Sequence, residues 1–172
     1  VIQIRKTRVT RRRNVVAKLS DIDTNTSSCA DAINEMKVAY RAGFIRQKDA
    51  YELNEKAVEK LKELKDDYTI VVLFAYWCGD SRRAVPALAL LEERLGKPFL
   101  ALGGMTKPPY GSDKLWEVPP SPKEVETFSV TSSPTILIFN KDGEEIGRIK
   151  TRAKMTSSIE EEILKIIEDS RT

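Results

Sequence analysis

The hydrophobic period changes along the chain, and the changes mark the elements. From Ser28 the residues Ala30, Ile33 and Val38 recur at helical spacing as far as Tyr40, and Gly43 is expected to break the run. A second segment, Ile45 to Asp67, sets Ala50, Leu53, Ala57, Leu61 and Leu64 three and four apart, an apolar stripe among Glu and Lys. Thr69 to Ala75 is then a continuous β-branched and aromatic run between polar neighbours, the pattern of a strand covered on both faces. Tyr76 to Arg83 leads directly into a helical stretch that runs to Leu95, where Gly96 is placed to close it. Cys78 therefore falls at a strand-to-helix turn.

Pro98 to Leu102 reads as a short buried strand. Residues 103–122 hold five of the eight prolines, too many for a regular element, and read as an insertion loop. A short helix over Lys123 to Phe128 precedes the strand that follows Ser133-Pro134-Thr135, and the Lys141-Asp142-Gly143 turn predicts a hairpin into Glu144 to Lys150. Ser157 and Ser158, with Glu160 and Glu161 three residues on, form two overlapping capping boxes for a last helix striped by Ile159, Ile163, Ile166 and Ile167. A parallel βαβ unit followed by an antiparallel hairpin and a closing helix predicts an α/β fold. Its central sheet is mixed, of about four strands, with helices on both faces and extra helices at the N-terminus.

With 172 residues the chain suits one domain. Residues 1–28 carry seven Lys/Arg against two Asp and are expected to be a disordered basic arm, which leaves the remainder slightly acidic. The domain is expected over 29–172, with a helical lead-in at 29–67 and the proline-rich loop at 103–122. The arm alone does not argue for a nucleic-acid partner. Because the chain opens on Val1, whether residues 1–28 belong to the mature protein stays open.

Histidine is absent from the sequence, which excludes Ser-His-Asp and Cys-His nucleophile pairs, His-ligated zinc and an imidazole base. The two cysteines, Cys29 and Cys78, are too few for a disulfide framework or a thiolate-only metal site within one chain, so neither metal nor cofactor is expected. The apolar run Ile70 to Trp77 is far short of the ~20 residues of a membrane helix. Val1 to Thr10 lacks the apolar core of a secretory signal, and a reducing cytoplasm is the expected setting.

Cysteine chemistry must then rest on one thiol or on this pair. At a helix N-terminus Cys78 meets unpaired backbone N–H groups and the positive end of the macrodipole, which favours the thiolate. Ser81, three residues on, is expected to donate its hydroxyl to that thiolate. Asp80 opposes the thiolate, while Arg82 and Arg83 are expected to oppose Asp80. On the plainer reading, Asp80 and Ser81 only cap the helix and Cys78 is an unreactive small residue. Cys29, at the very start of the lead-in, could serve as a resolving thiol if the N-terminal helix brought it near Cys78, but reads as incidental.

The stretch VVLFAYWCGDSRRAVP resembles the active-site strand and helix of thioredoxin-like proteins, with Trp77 before Cys78 and Pro86 where that family has its helix-kinking proline. Ser133-Pro134-Thr135-Ile136 resembles the family's cis-proline loop, and the WCGDS wording resembles an atypical Trp-Cys-Gly-Asp branch. There are three departures. Ser81 replaces the second cysteine, Val72 stands where the family has a buried acid, and the glycine expected near Thr151 is missing.

The resemblance implies a thiol–disulfide oxidoreductase, and the lone Cys78 makes it a monothiol one. Cys78 and Ser81 would form its catalytic pair, with Trp77, Gly79, Asp80, Ser133 and Pro134 binding substrate. It would exchange or reduce protein or small-thiol mixed disulfides, and an external thiol would resolve the adduct. The alternative is a thioredoxin-fold module that binds partner peptides without turnover. A metal cluster shared between two chains fits less well, since Cys-Gly-Asp-Ser departs from the Cys-Gly-Phe-Ser of monothiol glutaredoxins.

Overall fold

The computed structural model of the chain describes residues 16–111, 116 and 119–172. Three helices lead: α1 (Cys29–Glu35), α2 (Val38–Ala50) and α3 (Glu55–Glu63). They are followed by β1 (Tyr68–Phe74), α4 (Gly79–Leu95), β2 (Leu100–Gly103), α5 (Glu124–Thr127), β3 (Thr135–Asn140), β4 (Glu145–Lys150) and α6 (Ile159–Asp169). The four strands form one mixed sheet in the order β2-β1-β3-β4. β2 runs parallel to β1, whereas β3 lies antiparallel to both β1 and β4. This is the predicted α/β architecture.

The alternation of side chains along β1 and β3 divides the core in two. Ile70, Val72, Phe74, Ile136 and Ile138 face α1 to α4 and α6, and Val72 fills the family's acid position as an ordinary core residue. Val71, Leu73, Leu137 and Phe139 face the other way, onto Val125, Phe128 and Val130 around α5, together with Met105 and Ile22. Helices thus lie on both faces, but very unequally.

The lead-in departs from the sequence pattern in two places. Gly43 does not end a helix; α2 runs through it, and the break comes at Tyr51 to Asn54, where the Asn54 side chain accepts from Ala57 N–H to start α3. Nor are residues 16–28 a loose arm. Leu19 N–H donates to Gly143 O at 2.9 Å, Ile22 is buried in the core, and Ala101 N–H at the edge of β2 donates to Ser27 O at 2.8 Å. Residues 1–15, the rest of the expected arm, lie outside the described residues.

Three buried carboxylates tie the helices together. Glu92 on α4 accepts from Cys29 N–H, Ala30 N–H and Phe99 N–H, which caps α1 from across the domain. Glu160 on α6 accepts from the Tyr51 hydroxyl and Asn54 N–H, and Glu162 accepts from the backbone of Lys154 and Met155. No helix of the described residues is long and apolar enough to cross a membrane.

Candidate active site

β1 ends at Phe74, and the chain turns through Ala75, Tyr76 and Trp77 into α4, of which Cys78 is the N-cap. No side chain caps this helix, so its first N–H groups, which have no intrahelical partner, are left around the cysteine. Cys78 is half-buried and free, and its Sγ lies 3.4 Å from Ser133 O.

Ser133 is the hub of the site. Its Oγ accepts from Ala75 N–H at 2.9 Å and lies 3.1 Å from Ser81 Oγ, with both serines buried. Ser81 Oγ is therefore hydrogen-bonded to Ser133 Oγ and not to Cys78, contrary to the sequence expectation. The two serines join the end of β1, the first turn of α4 and the loop before β3, and this linkage sets the Sγ position. The Ser133–Pro134 peptide is cis, and Pro134 O accepts from Thr151 N–H at 2.7 Å.

Thr151 stands where the resembled family has glycine, and it adopts φ 71. A β-branched side chain is strained in that region, by about 1–3 kcal/mol. Replacing Thr151 with glycine is expected to raise stability by about 1 kcal/mol after the entropic cost of glycine. Urea unfolding checks this, and an unchanged or lower midpoint would contradict it.

The charges differ from expectation. Asp80 pairs with Arg152 at 3.8 Å, not with Arg82 or Arg83, and both partners are open enough for the pair to be weak. Nothing in the spacing signals this contact, because Arg152 arrives from beyond β4. Tyr76 packs edge-on to Phe74 at 5.5 Å and stacks on Tyr40 at 6.0 Å. Gly103 is required beneath it, since a Cβ there would stand 2.7 Å from the Tyr76 hydroxyl. Trp77 is instead 48% exposed, and Trp116 of the proline-rich loop stacks on it at 5.8 Å. The base of that loop is closed by Thr106 N–H donating to Ser121 Oγ at 2.7 Å.

Cys29 is fully buried, and burial beside Glu92 pushes its thiol well above its ordinary range. Glu92 lies thirteen residues beyond Gly79 on α4, roughly 20 Å at the helical rise, so Cys29 is out of reach of Cys78. Among the described residues no three His, Cys, Asp or Glu are grouped to hold a metal ion.

A sequence profile of the thioredoxin family matches residues 26–97. The chain is 33% identical over 79 residues to a thioredoxin of Chlamydia muridarum, covering 46% of this chain and 64% of that protein. It is 32% identical over 80 residues to a thioredoxin of Chlamydia pneumoniae, covering 46% and 65%. The match thus spans just under two thirds of these relatives' own length. A Pseudomonas aeruginosa protein of unknown function superposes with a TM-score of 0.68 at 12% identity, over 90% of this chain and 99% of that one. An HIV epitope-scaffold superposes at 0.65, also at 12% identity, over 89% and 99%; likeness at this identity speaks to the fold alone. The chain thus has a thioredoxin-like fold, and over residues 26–97 its sequence is similar to that of thioredoxins.

Proposed function

We propose that the chain is a monothiol thiol–disulfide exchange protein with Cys78 as its nucleophile. The observation that carries this reading is the placement of one half-buried thiol at the uncapped N-terminus of a seventeen-residue helix, with the second cysteine sealed in the core. The helix end presents N–H groups without intrahelical partners beside the cysteine, and the exposed Trp77 offers an apolar contact to whatever approaches.

The Cys78 thiolate attacks one sulfur of a substrate disulfide. The S–S bond breaks, one half leaves as thiolate, and the other stays on Cys78 as a mixed disulfide. Ser81 has no sulfur with which to displace it, so an external thiol attacks, takes the bound half as a new disulfide and restores the Cys78 thiolate. No net oxidation of the protein occurs. Ser81 serves as a positioning residue through Ser133, and the backbone at Ser133 and Pro134 borders the thiol as an edge for an extended substrate segment.

Ser81→Cys tests the assignment of roles. The wild type is expected to accumulate the mixed disulfide when no external thiol is present, as seen by intact mass. In Ser81→Cys the new thiol attacks the Cys78 sulfur, frees the bound half as a thiol and leaves an internal disulfide, a net two-electron reduction. A wild-type chain that never holds an adduct would contradict the proposal. One observation favours the non-catalytic binding module instead: the Cys78 thiol is already engaged, donating to Ser133 O.

A further inference from the structure

Beside Cys78, on the side of α2, lies a recess of about 360 Å³ walled by Tyr40, Gly43, Arg46, Tyr76, Trp77 and Arg82. Its size lies at the lower end of small-molecule sites. Two of its walls are the residues immediately before the thiol, and a third, Arg82, is one helical turn after it, with Arg82 N–H donating to Cys78 O at 3.2 Å. Residues so spaced share a helix face.

The path of Arg82 is set by Gly43. The Arg82 Cδ passes 3.1 Å from where a Gly43 Cβ would stand, and its Nη2 reaches within 3.8 Å of the corresponding point on Gly79. The guanidinium thus folds back over Gly79, the first residue of α4 and the one that follows Cys78. Among the described residues, the ion pairs at 4.0 Å or less include neither Arg82 nor Arg46. Two cations and the faces of Tyr40 and Tyr76 therefore meet one pocket in which no acid lines the wall.

We infer that this recess is a subsite for the carboxylates of a low-molecular-weight thiol, presented to Cys78 as its disulfide. Guanidinium forks match carboxylates in geometry and charge, and the aromatic walls cover the ligand's apolar atoms. A small thiol is favoured over a protein segment because α2 closes the recess on one side, whereas an extended chain would run along Ser133 and Pro134. The inference rests on the proposed exchange activity and names the substrate class for it. Cys78 thiolate attacks the anionic disulfide, one thiolate leaves, and the retained half keeps its carboxylates on Arg46 and Arg82 until an external thiol displaces it.

Two measurements on the full chain separate the subsite from the activity. In the first, the Cys78→Ser chain is titrated with S-methylglutathione, which carries the carboxylates and cannot exchange, and tryptophan fluorescence reports binding at Trp77. Binding should weaken about tenfold with the diethyl ester of the probe and likewise in Arg46→Gln and in Arg82→Gln, an effect of charge-assisted contacts on partly open residues. Arg46→Gln, on the exposed face of α2, guards against a packing effect at Arg82.

In the second, mixed-disulfide formation at Cys78 is timed with glutathione disulfide and with the uncharged hydroxyethyl disulfide. A ratio of about ten in favour of the anion, falling toward one in the arginine variants, supports the subsite. Equal rates with both disulfides would overturn it while leaving the exchange reading standing. Adducts with neither would overturn the exchange reading, and the binding titration then decides the subsite alone. No binding of the probe, or a preference confined to acidic peptide disulfides, would overturn it.

Discussion

Replacing Cys78 with serine is expected to reduce thiol–disulfide exchange to the buffer background without loss of the fold. A hydroxyl does not ionise near neutral pH and cannot form the mixed disulfide, so no residual pathway through this position exists. The only other thiol, Cys29, is sealed at the start of α1 and cannot substitute for it. Stability should hold or rise, because serine is a favoured N-cap residue and Cys78 makes no side-chain cap bond, a change worth about 0.5–1 kcal/mol. Exchange assays beside thermal unfolding check both halves. Activity retained in this variant would remove Cys78 from the mechanism, and a collapsed fold would leave its role to the alkylation measurement below.

The largest effect on stability is expected at Glu92, a residue 6% exposed whose carboxylate accepts three backbone N–H groups. Glu92→Ala strands those donors and leaves the start of α1 without its cap, at a cost of about 3 kcal/mol. For a chain of this size that is a fall in Tm of about 6–12 °C. The loss reaches the sheet, because the segment leading into α1 covers the edge of β2 through Ser27 O. A Tm within 2 °C of wild type, roughly the effect of half a kcal/mol, would contradict this account.

The pH dependence follows from the same carboxyl. Burial pushes Glu92 up from the ordinary glutamate range of 4.5, against the opposing pull of the Phe99, Ala30 and Cys29 N–H groups. Folding therefore favours the protonated form. Its contribution is fully present below the unfolded value and is lost as pH rises through the raised folded value. Glu92→Gln, which does not titrate, should flatten the decline in stability that begins above pH 4.5. Urea midpoints across that range test the sign, and an unchanged slope would contradict it.

The sheet was legible because its strands are short β-branched apolar runs, too short for a buried helix, or are joined by an Asp142-Gly143 turn. The last helix was legible through Ser158, whose side chain accepts from Glu161 N–H as the capping box predicts. Gly43 misled because glycine only weakens a helix, and here its missing side chain lets Arg82 of α4 lie against α2. The distant partners of Glu92, Glu160 and Glu162 gave no signal, since a helical glutamate looks the same in sequence whether it meets water or a remote N–H or hydroxyl.

Cys78 and its turn could be placed from strand, turn and helix alone, but not the partners of its neighbours. Ser81 with Ser133, Asp80 with Arg152 and Trp77 with Trp116 are contacts across 35 residues or more, set by how β3, β4 and the proline-rich loop return to the end of β1.

Cys78 is proposed as the reactive thiol and Cys29 as the inert one, and alkylation resolved by residue tests this most directly. The folded chain is treated with iodoacetamide across pH 5–9, a range chosen to span roughly three pH units below and just above the free thiol's titration. The Cys78 and Cys29 peptides are then quantified separately, with the urea-unfolded chain as reference. At pH 7 Cys78 should react faster in the folded chain than in the unfolded one, and Cys29 should react only after unfolding. Slower reaction of Cys78 in the folded chain at every pH would contradict the account and leave this thioredoxin-like surface as a binding groove.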